Sequence, residues 1–318
     1  EPIFPMEPTS SSEIPEGDQW VAQIKWDGVR ILTYYDGKKV ELFNRKKNER
    51  TNHFPEITTW DYFEADSAIL DGEVIAMGRD GIPSFHEVMR RDGLRTLSKV
   101  PIVRQSVPIT YMVFDVLYFN GQWVNDRPFE ERMSLLKKQL RPHPHVQLVE
   151  SQQDGGALFQ TMQKFGMEGV VLKDRHSPYV MDAKKPIWQK VKIIRDVNAV
   201  VGGYTTKLGI ANALLVGLYD NDGEFWYIGH VGTGKLTKEE WRSLTRVLEG
   251  IQQAHTPFSN QPGRKNDAYW VKPEQVVKIH FAEWTSGRSM RQPSIQSFLA
   301  VDPKSCSFQN EAPDIRQG

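Results

Sequence analysis

A few short segments hold the side chains able to do chemistry. Lys25-Trp26-Asp27-Gly28-Val29-Arg30 sets a lysine at the end of one strand-like run, then a glycine-bearing turn, then an arginine entering the next run. With each specified residue near ~5–7% usage, a K-x-D-G-x-R match arises by chance in this chain with a probability of roughly 0.004. A lysine amine becomes a nucleophile when neighbouring cations or desolvation favour its neutral form, and it must reach phosphorus in line with a leaving group. The plainer reading is a hairpin with Asp-Gly in its turn and two exposed cations. Further on, Asp71-Gly72-Glu73 ends a strand, Phe114-Asp115 lies in a long aromatic strand, and Glu168-Gly169-Val170-Val171 opens another. Trp188-Gln189-Lys190-Val191-Lys192 alternates two lysines onto one strand face. Taken singly, Phe114 reads as core packing and the lysine pair as snorkelling cations on an exposed strand.

The elements that must position these groups are mostly short strands. Residues 20–25, 29–35 and 39–45 read as β, the last two joined by Asp36-Gly37, a hairpin signal. Strand-like runs recur at 68–77, 109–119, 146–150 and 168–173. Phe129, Met133, Leu136 and Leu140 fall at helical spacing after Pro128, and a second helix is expected at 155–165. Ser84, Phe85, Val88 and Met89 suggest a short helix ending in Arg90 and Arg91, and Asp174-Arg175-His176 reads as a turn. Helices inserted among hairpins, rather than alternating with strands, predict an α+β fold with antiparallel or mixed sheets.

From about residue 195 the chain becomes Gly-punctuated strands at Ala199–Tyr204, Leu214–Tyr219, Phe225–Val231 and Val276–Trp284. Thr237 and Glu240 form a capping box before a helix whose apolar face is Trp241, Leu244, Leu248 and Ile251. Five or so short strands with one inserted helix fit a Greek-key barrel of the OB type. Two domains are therefore expected, 1–194 and 195–318, with Pro186–Asn198 as the boundary.

The 318 residues contain 40 Lys+Arg against 40 Asp+Glu, so the chain is no bulk electrostatic binder of nucleic acid, although a local basic groove remains open to it. Two clusters stand out: Arg45, Lys46, Lys47 and Arg50, and Arg90, Arg91, Arg95, Lys99 and Arg104. Alone, each reads as a solvated, salt-bridged face. The single cysteine, Cys306, removes any disulfide framework and reads as an unpaired surface or tail thiol. No apolar run is long enough to span a bilayer, and the acidic, Pro/Ser-rich start is not signal-like, so a cytoplasmic setting without membrane contact is expected.

In order and in kind, these segments resemble the nucleotidyltransferase motifs of ATP-dependent DNA ligases, a superfamily that also holds RNA ligases and mRNA-capping enzymes. The resemblance runs from Pro5 to about Ser297. It implies a nucleotidyltransferase domain with ATP-grasp-like mixed sheets followed by an OB-fold barrel. It further implies that Lys25 attacks the α-phosphate of ATP to give lysyl-AMP, that AMP passes to the 5′-phosphate of a DNA nick, and that the 3′-hydroxyl displaces it to seal the strand. Such successive phosphoryl substitutions demand alignment and charge neutralisation above all.

By the same resemblance Lys190 and Lys192 hold the α-phosphate and favour a neutral Lys25 by repulsion. Glu168, together with Glu73, is implied to carry Mg²⁺, with Mn²⁺ as an alternative. Glu73 also accepts from the ribose hydroxyls, Phe114 stacks on adenine, and Ile24 borders the nucleotide. Arg30 and Arg45 suit the ribose edge and the nick phosphate, with Asp27 ordering the turn and Arg30. Arg90 and Arg91 are implied as DNA contacts. The barrel domain is expected to close over the nucleotide and then to grip DNA. Its last basic motif begins at Gly287–Ile295, with Arg291 the best match and Arg288 a reserve. The chain then departs from the pattern: Phe298–Lys304 lacks the further arginine and Asp-Lys pair, with Lys304 as a partial substitute.

The implied partner is nicked double-stranded DNA, bound by a monomer with repair proteins or fused domains as further partners. An RNA ligase or capping-type nucleotidyltransferase is the alternative enzyme. A non-catalytic OB-type nucleic-acid binder is the alternative of another class. Asp115–Gly121 and the Arg291-Gln292-Pro293-Ser294 tail lean toward DNA ligase.

Overall fold

The computed structural model describes residues 1–318 except 233, 264–266, 286, 314 and 316–318. Two compact units divide between Ile193 and Ile194. The first contains strands β1 (Glu7–Ser10), β2 (Trp20–Ile24), β3 (Val29–Tyr35), β4 (Val40–Asn44) and β5 (Ala68–Ile75), then helices α1 (Phe85–Asp92) and α2 (Val100–Ser106). It continues through β6 (Thr110–Phe119), β7 (Gln122–Trp123), α3 (Phe129–Gln139), β8 (Val146–Leu148), α4 (Gly155–Lys164), β9 (Gly169–Asp174) and β10 (Lys184–Lys192). One sheet has the order β1-β10-β9-β2; the other is β4-β3-β5-β6-β7, with β8 added to β6. The β1–β10 and β6–β8 pairs are parallel and the rest antiparallel, the mixed α+β arrangement that the hairpin-rich pattern predicts.

Local signals account for the element ends. Asp36 Oδ1 accepts from the backbone N–H groups of Lys38 and Lys39, and Gly37 takes φ +91°, which turns β3 into β4. Ser84 caps α1 and Asp154 caps α4, each accepting from the third helical N–H. Helix α3 starts after Pro128, with Glu130 and Glu131 in its first turn and Lys137 and Lys138 in its last, in the sense the helix dipole favours.

Strand alternation gives each sheet two distinct faces. On the β1-β10-β9-β2 sheet, Ala22, Val170, Leu172 and Val191 pack with Met162 of α4. The opposite face contributes Trp188 to a core with Met6, Leu32, Ile69, Leu117 and Tyr179, which joins it to the inner face of the second sheet. Strand β1, the two-residue β7 and helix α2 are not foreseen by periodicity. Strand β1 lies in the Pro/Ser-rich start and earns its place by pairing with β10. Helix α2, in a stretch read only as basic, buries Val100 with Val107 just beyond it.

The second unit holds β11 (Arg195–Lys207), β12 (Ile210–Tyr219), β13 (Phe225–Val231), α5 (Lys238–Glu249), β14 (Gln252–Gln253), β15 (Tyr269–Val271), β16 (Val276–Phe281), β17 (Glu283–Trp284), β18 (Met290–Arg291), β19 (Ser294–Leu299) and α6 (Phe308–Glu311). Pairing runs β13-β12-β11-β16-β19, and a parallel bridge between Gly234 and Ile295 links the chain beyond β13 back to β19. That circuit of five strands, with α5 between the third and fourth, is the OB-type barrel expected. The Thr237–Glu240 capping box is present in both directions, and Leu244 and Leu248 enter the barrel core. Residues 298–304, read only as a departure from a basic motif, begin as the end of β19.

Cys306 corrects the expectation of a surface thiol: it is buried. Tyr219 N donates to the Cys306 carbonyl at 2.9 Å, and Phe308 enters the core, so the tail is drawn down onto β12. The native protein should therefore leave Cys306 unmodified by an aromatic disulfide reagent over minutes, with one thiol titrating after unfolding in guanidinium; stoichiometric labelling without denaturant would refute this packing.

Candidate active site

The first unit builds its site from register. Beyond β2, Lys25 N donates to the Gly169 carbonyl at 3.0 Å, continuing the antiparallel pairing that sets Ile24 opposite Val170. Across β9, Gly169 stands opposite Lys192 and Val171 opposite Lys190. Lys25, Lys190 and Lys192 thus share the face that carries Trp188, with Gly169 in the row between Lys25 and Lys192. At ordinary strand spacing the two lysine backbones lie about 10 Å apart, across a residue without a side chain. Gly169 has a second reason to be glycine: its φ is +149°, and a Cβ there would lie 2.2 Å from the Val191 carbonyl oxygen. Gly28 is similarly confined, since its Cβ would meet Val74 O at 2.1 Å.

Glu168 precedes β9 and reaches the nucleophile candidate directly, with Lys25 Nζ 2.6 Å from Glu168 Oε1. The carboxylate is nearly buried, whereas the lysine side chain is one-fifth exposed. Opposite charge at this distance favours the ammonium form of Lys25, whereas repulsion from Lys190 and Lys192 favours the amine.

The facing sheet supplies Arg30 and Glu73, which pair across β3 and β5. Burial pushes the Glu73 carboxyl up to about 7; Arg30 and Lys25 pull it down, while Glu168 and Asp27 push it further up. These couplings place Lys25, Asp27, Arg30, Glu73 and Glu168 in one electrostatic neighbourhood. Arg30 is anchored by Asp71, with Nε and Nη2 at 2.7 and 2.6 Å from its two carboxylate oxygens; Nη2 also donates to Met6 O at 2.9 Å. Tyr179 OH donates to the same Asp71 at 2.6 Å. Burial works against the Arg30 charge, but Asp71 more than offsets it and holds the guanidinium above its ordinary range.

Asp71 pairs with Asp115 and Gly72 with Val113, so Phe114 is the extra residue of a β-bulge, a device that re-aims a side chain. Its half-buried ring has the Arg30 guanidinium carbon 4.9 Å from its centroid and meets Trp188 edge-on. Lys173 joins them. Its Nζ lies 3.9 Å from the Trp188 ring centroid, 4.4 Å from Phe114 and 5.2 Å from Phe129. Burial lowers Lys173 to about 7, against an upward pull from Asp115. Asp115 is itself held by fully buried Arg132 at 2.8 and 3.1 Å.

Sequence reasoning overlooked Lys173, Asp71 and Tyr179 as parts of the site. The signal for Lys173 was available: it lies on the same strand face as Val171 and Gly169, in register with Trp188. Other expectations need correction. The carboxylate that orders Arg30 is Asp71 and not Asp27, because the strand register sets Asp71 on the same inner face. Ile24 turns its side chain to the opposite face, against the α4 core, so only its backbone borders the site. Arg91 is fully buried, with Nη1 and Nη2 each 2.8 Å from Glu56 carboxylate oxygens, and Nη2 donates to His53 O; Arg90 pairs with Glu87. Arg91 is therefore a structural ion pair and no DNA contact. Arg45 is exposed on the turn after β4. Arg291, on β18, and Arg288, at φ +59°, belong to the second unit, where Lys304 Nζ packs 4.0 Å over the Tyr219 ring.

Glu168 and Glu73 give the donor set a hard divalent cation takes when phosphate oxygens and water complete its shell. Among the described residues no group of three or more His, Cys, Asp or Glu is placed to hold an ion, so an all-protein cage is not the arrangement this site fits.

A lysine pinned between two mixed sheets, backed by carboxylates and two further lysines and followed by an OB-type barrel, defines a nucleotidyltransferase architecture. The chain belongs to the ATP-dependent DNA ligase family: residues 8–192 match the ATP dependent DNA ligase domain and residues 207–299 its C terminal region. It is 32% identical over 206 residues to the SPbeta prophage-derived DNA ligase-like protein LigB of Bacillus subtilis, covering 64% of this chain and 73% of that one. It is 29% identical over 293 residues to DNA ligase 2 of Methanosarcina mazei, covering 85% of this chain but 50% of the relative, so it spans about half that protein's length. Among solved structures it resembles a mycobacterial DNA ligase D complexed with ATP and MES, with TM-score 0.73 and 26% identity over 96% of this chain and 97% of the other. No described helix is long and apolar enough to cross a membrane.

Glu73 and Lys173 make stability depend on pH in opposite senses. Glu73 binds a proton in the folded state up to about pH 7 that the unfolded chain sheds near about 4.5, so its contribution to stability falls as pH rises through that window. Glu73→Gln should abolish this decline, worth up to about 3 kcal/mol, in urea unfolding between about pH 4.5 and 7. An unchanged pH profile would rule out a buried, proton-holding Glu73. Lys173, neutral in the fold above about 7, makes stability rise with pH from there toward the ordinary lysine range. Lys173→Met should flatten that rise and raise the urea midpoint at pH 7, whereas a lowered midpoint would contradict the desolvation assigned to it.

Proposed function

We propose that this chain is an ATP-dependent DNA ligase that seals nicks bearing 5′-phosphate and 3′-hydroxyl ends. The observation that carries the reading is the row Lys25–Gly169–Lys192 with Glu168 at 2.6 Å from Lys25. Family membership and the likeness to a ligase D complexed with ATP support it.

Lys25 gives up one proton to water, which reaches its partly exposed side chain. Its nitrogen then forms a bond to the α-phosphorus, releasing its second proton to water, while the bond from that phosphorus to the bridging oxygen of pyrophosphate breaks. Lys190 and Lys192 face the same gap and neutralise charge spreading over the phosphoryl oxygens. Glu168 and Glu73 would hold Mg²⁺, or Mn²⁺ in its place, and that ion supplies positive charge against the triphosphate. Phe114 offers its ring to adenine, Glu73 accepts from the ribose hydroxyls, and Arg30, locked by Asp71, directs its guanidinium to the ribose edge. Arg45 takes the nick phosphate.

In the second transfer the 5′-phosphate oxygen of the nick bonds to the AMP phosphorus and the Lys25–phosphorus bond breaks. The 3′-hydroxyl then loses its proton, bonds to the 5′-phosphorus and releases AMP. The reading extends to a cytoplasmic monomer acting on nicked duplex DNA, with repair proteins or fused domains as partners.

Incubation with α-labelled ATP and Mg²⁺ should leave label on the wild type, none on Lys25→Ala, and little on Glu168→Ala, whose Mg²⁺ titration should not restore it. A chain labelled equally well without Lys25, or by GTP in preference to ATP, would overturn the proposal.

A further inference from the structure

Residues 93–107 carry Arg95, Lys99 and Arg104 and no carboxylate, in a chain whose acids and bases balance overall. All three cations are exposed, and none of their side chains takes part in an ion pair or hydrogen bond among the described residues. Their neighbours Arg50, Arg90 and Arg91 do, with Asp92, Glu87 and Glu56. The usual reading of a charge cluster as a salt-bridged face thus describes the foot of this stretch and not its outer part.

Helix α2 turns Val100 and Val107 inward. At about 100° per residue, Ile102 then points away from the core with Lys99 about 60° to one side of it, while exposed Arg104 lies farther round the helix. Ile102 is 73% exposed and Leu97 41%. Partnerless cations around outward aliphatic side chains form a surface with a definite complement: phosphates for the cations, the sugar edge of a groove for the aliphatics.

This stretch is bolted to the other basic segment of the unit. Arg50 Nε lies 2.8 Å from Asp92 Oδ1, and His53 Nε2 lies 3.1 Å from the Leu94 carbonyl oxygen. The chain just beyond the turn that carries exposed Arg45 and Lys46 is thus held, at Arg50 and His53, against Asp92 and Leu94 at the foot of this stretch.

We propose that residues 93–107, together with Arg45 and Lys46, form a phosphate-tracking surface that holds duplex DNA flanking the nick, with Ile102 and Leu97 laid against a groove edge. The proposal rests on the ligase reading above. Arg95, Lys99 and Arg104 grip the duplex and take no part in self-adenylation.

The test is binding of the full chain to a fluorescent nicked duplex, measured by anisotropy across a salt titration. Each phosphate contact contributes about 0.9 to the slope of log affinity against log salt, so R95A/K99A/R104A should lower that slope by about 2.7. Between about 50 and about 150 mM salt the wild type should then lose about 20-fold more affinity than the variant. Labelling by ATP should be equal in the two proteins, and R95K/K99/R104K, which keeps the charge, should retain the wild-type slope. Equal slopes for wild type and the triple alanine variant, with both proteins labelled by ATP, would overturn the surface while leaving the ligase reading intact. A wild type that neither accepts label nor binds the nicked duplex would overturn the ligase reading itself, and the surface with it.

Discussion

The structure of the first unit turns on the close approach of β2, β9 and β10 at Gly169. No other residue fits there, because a side chain would meet the backbone of β10. That absence of a Cβ leaves a gap in the sheet face between Lys25 and Lys192 and draws Glu168 up to the Lys25 amine. Three backbone segments in register thereby fix the relative positions of two lysines and a carboxylate. Precision of this kind comes from strands more readily than from loops.

A second, deeper layer sets the aim of Arg30 and Phe114. Asp71 takes both ends of the Arg30 fork and also the Tyr179 hydroxyl, and the β-bulge at Phe114 turns its ring toward Arg30. Below them the buried Arg132–Asp115 pair and the aromatic box around Lys173 extend the network into the core. Breaking one partner of such a buried pair typically costs 3–5 kcal/mol, so these groups rigidify the site as well as charge it. The opposing titrations of Glu73 and Lys173 follow from the same burial, which disfavours an anion in one and a cation in the other.

Much of this arrangement was legible in the sequence. Asp36-Gly37, the Thr237–Glu240 capping box, helical spacing and the period-2 runs are local signals, and they point to the hairpin, helices α1, α3, α4 and α5, and most strands. The motif spacing singled out Lys25, Glu73, Glu168 and the lysine pair as candidates. What escaped depends on partners far away in the chain. Strand β1 exists because β10 pairs with it, and Arg91 is buried because Glu56 lies across from it. The choice of Asp71 over Asp27 as the partner of Arg30 is a matter of register. Lys173 looks like any strand lysine until Trp188, Phe114 and Phe129 surround it. The side of β2 to which Ile24 points could have been read from alternation, since it is the side opposite Lys25.

The central claim is that one amine, placed by strand register, forms a covalent bond to a nucleotide. Peptide mapping by mass spectrometry of protein incubated with ATP and Mg²⁺ tests it most directly. A single AMP on the peptide containing Lys25, removed when nicked DNA is added, is the result this account predicts. AMP on another lysine, Lys173 included, or a protein left unmodified while strands are joined, would contradict it.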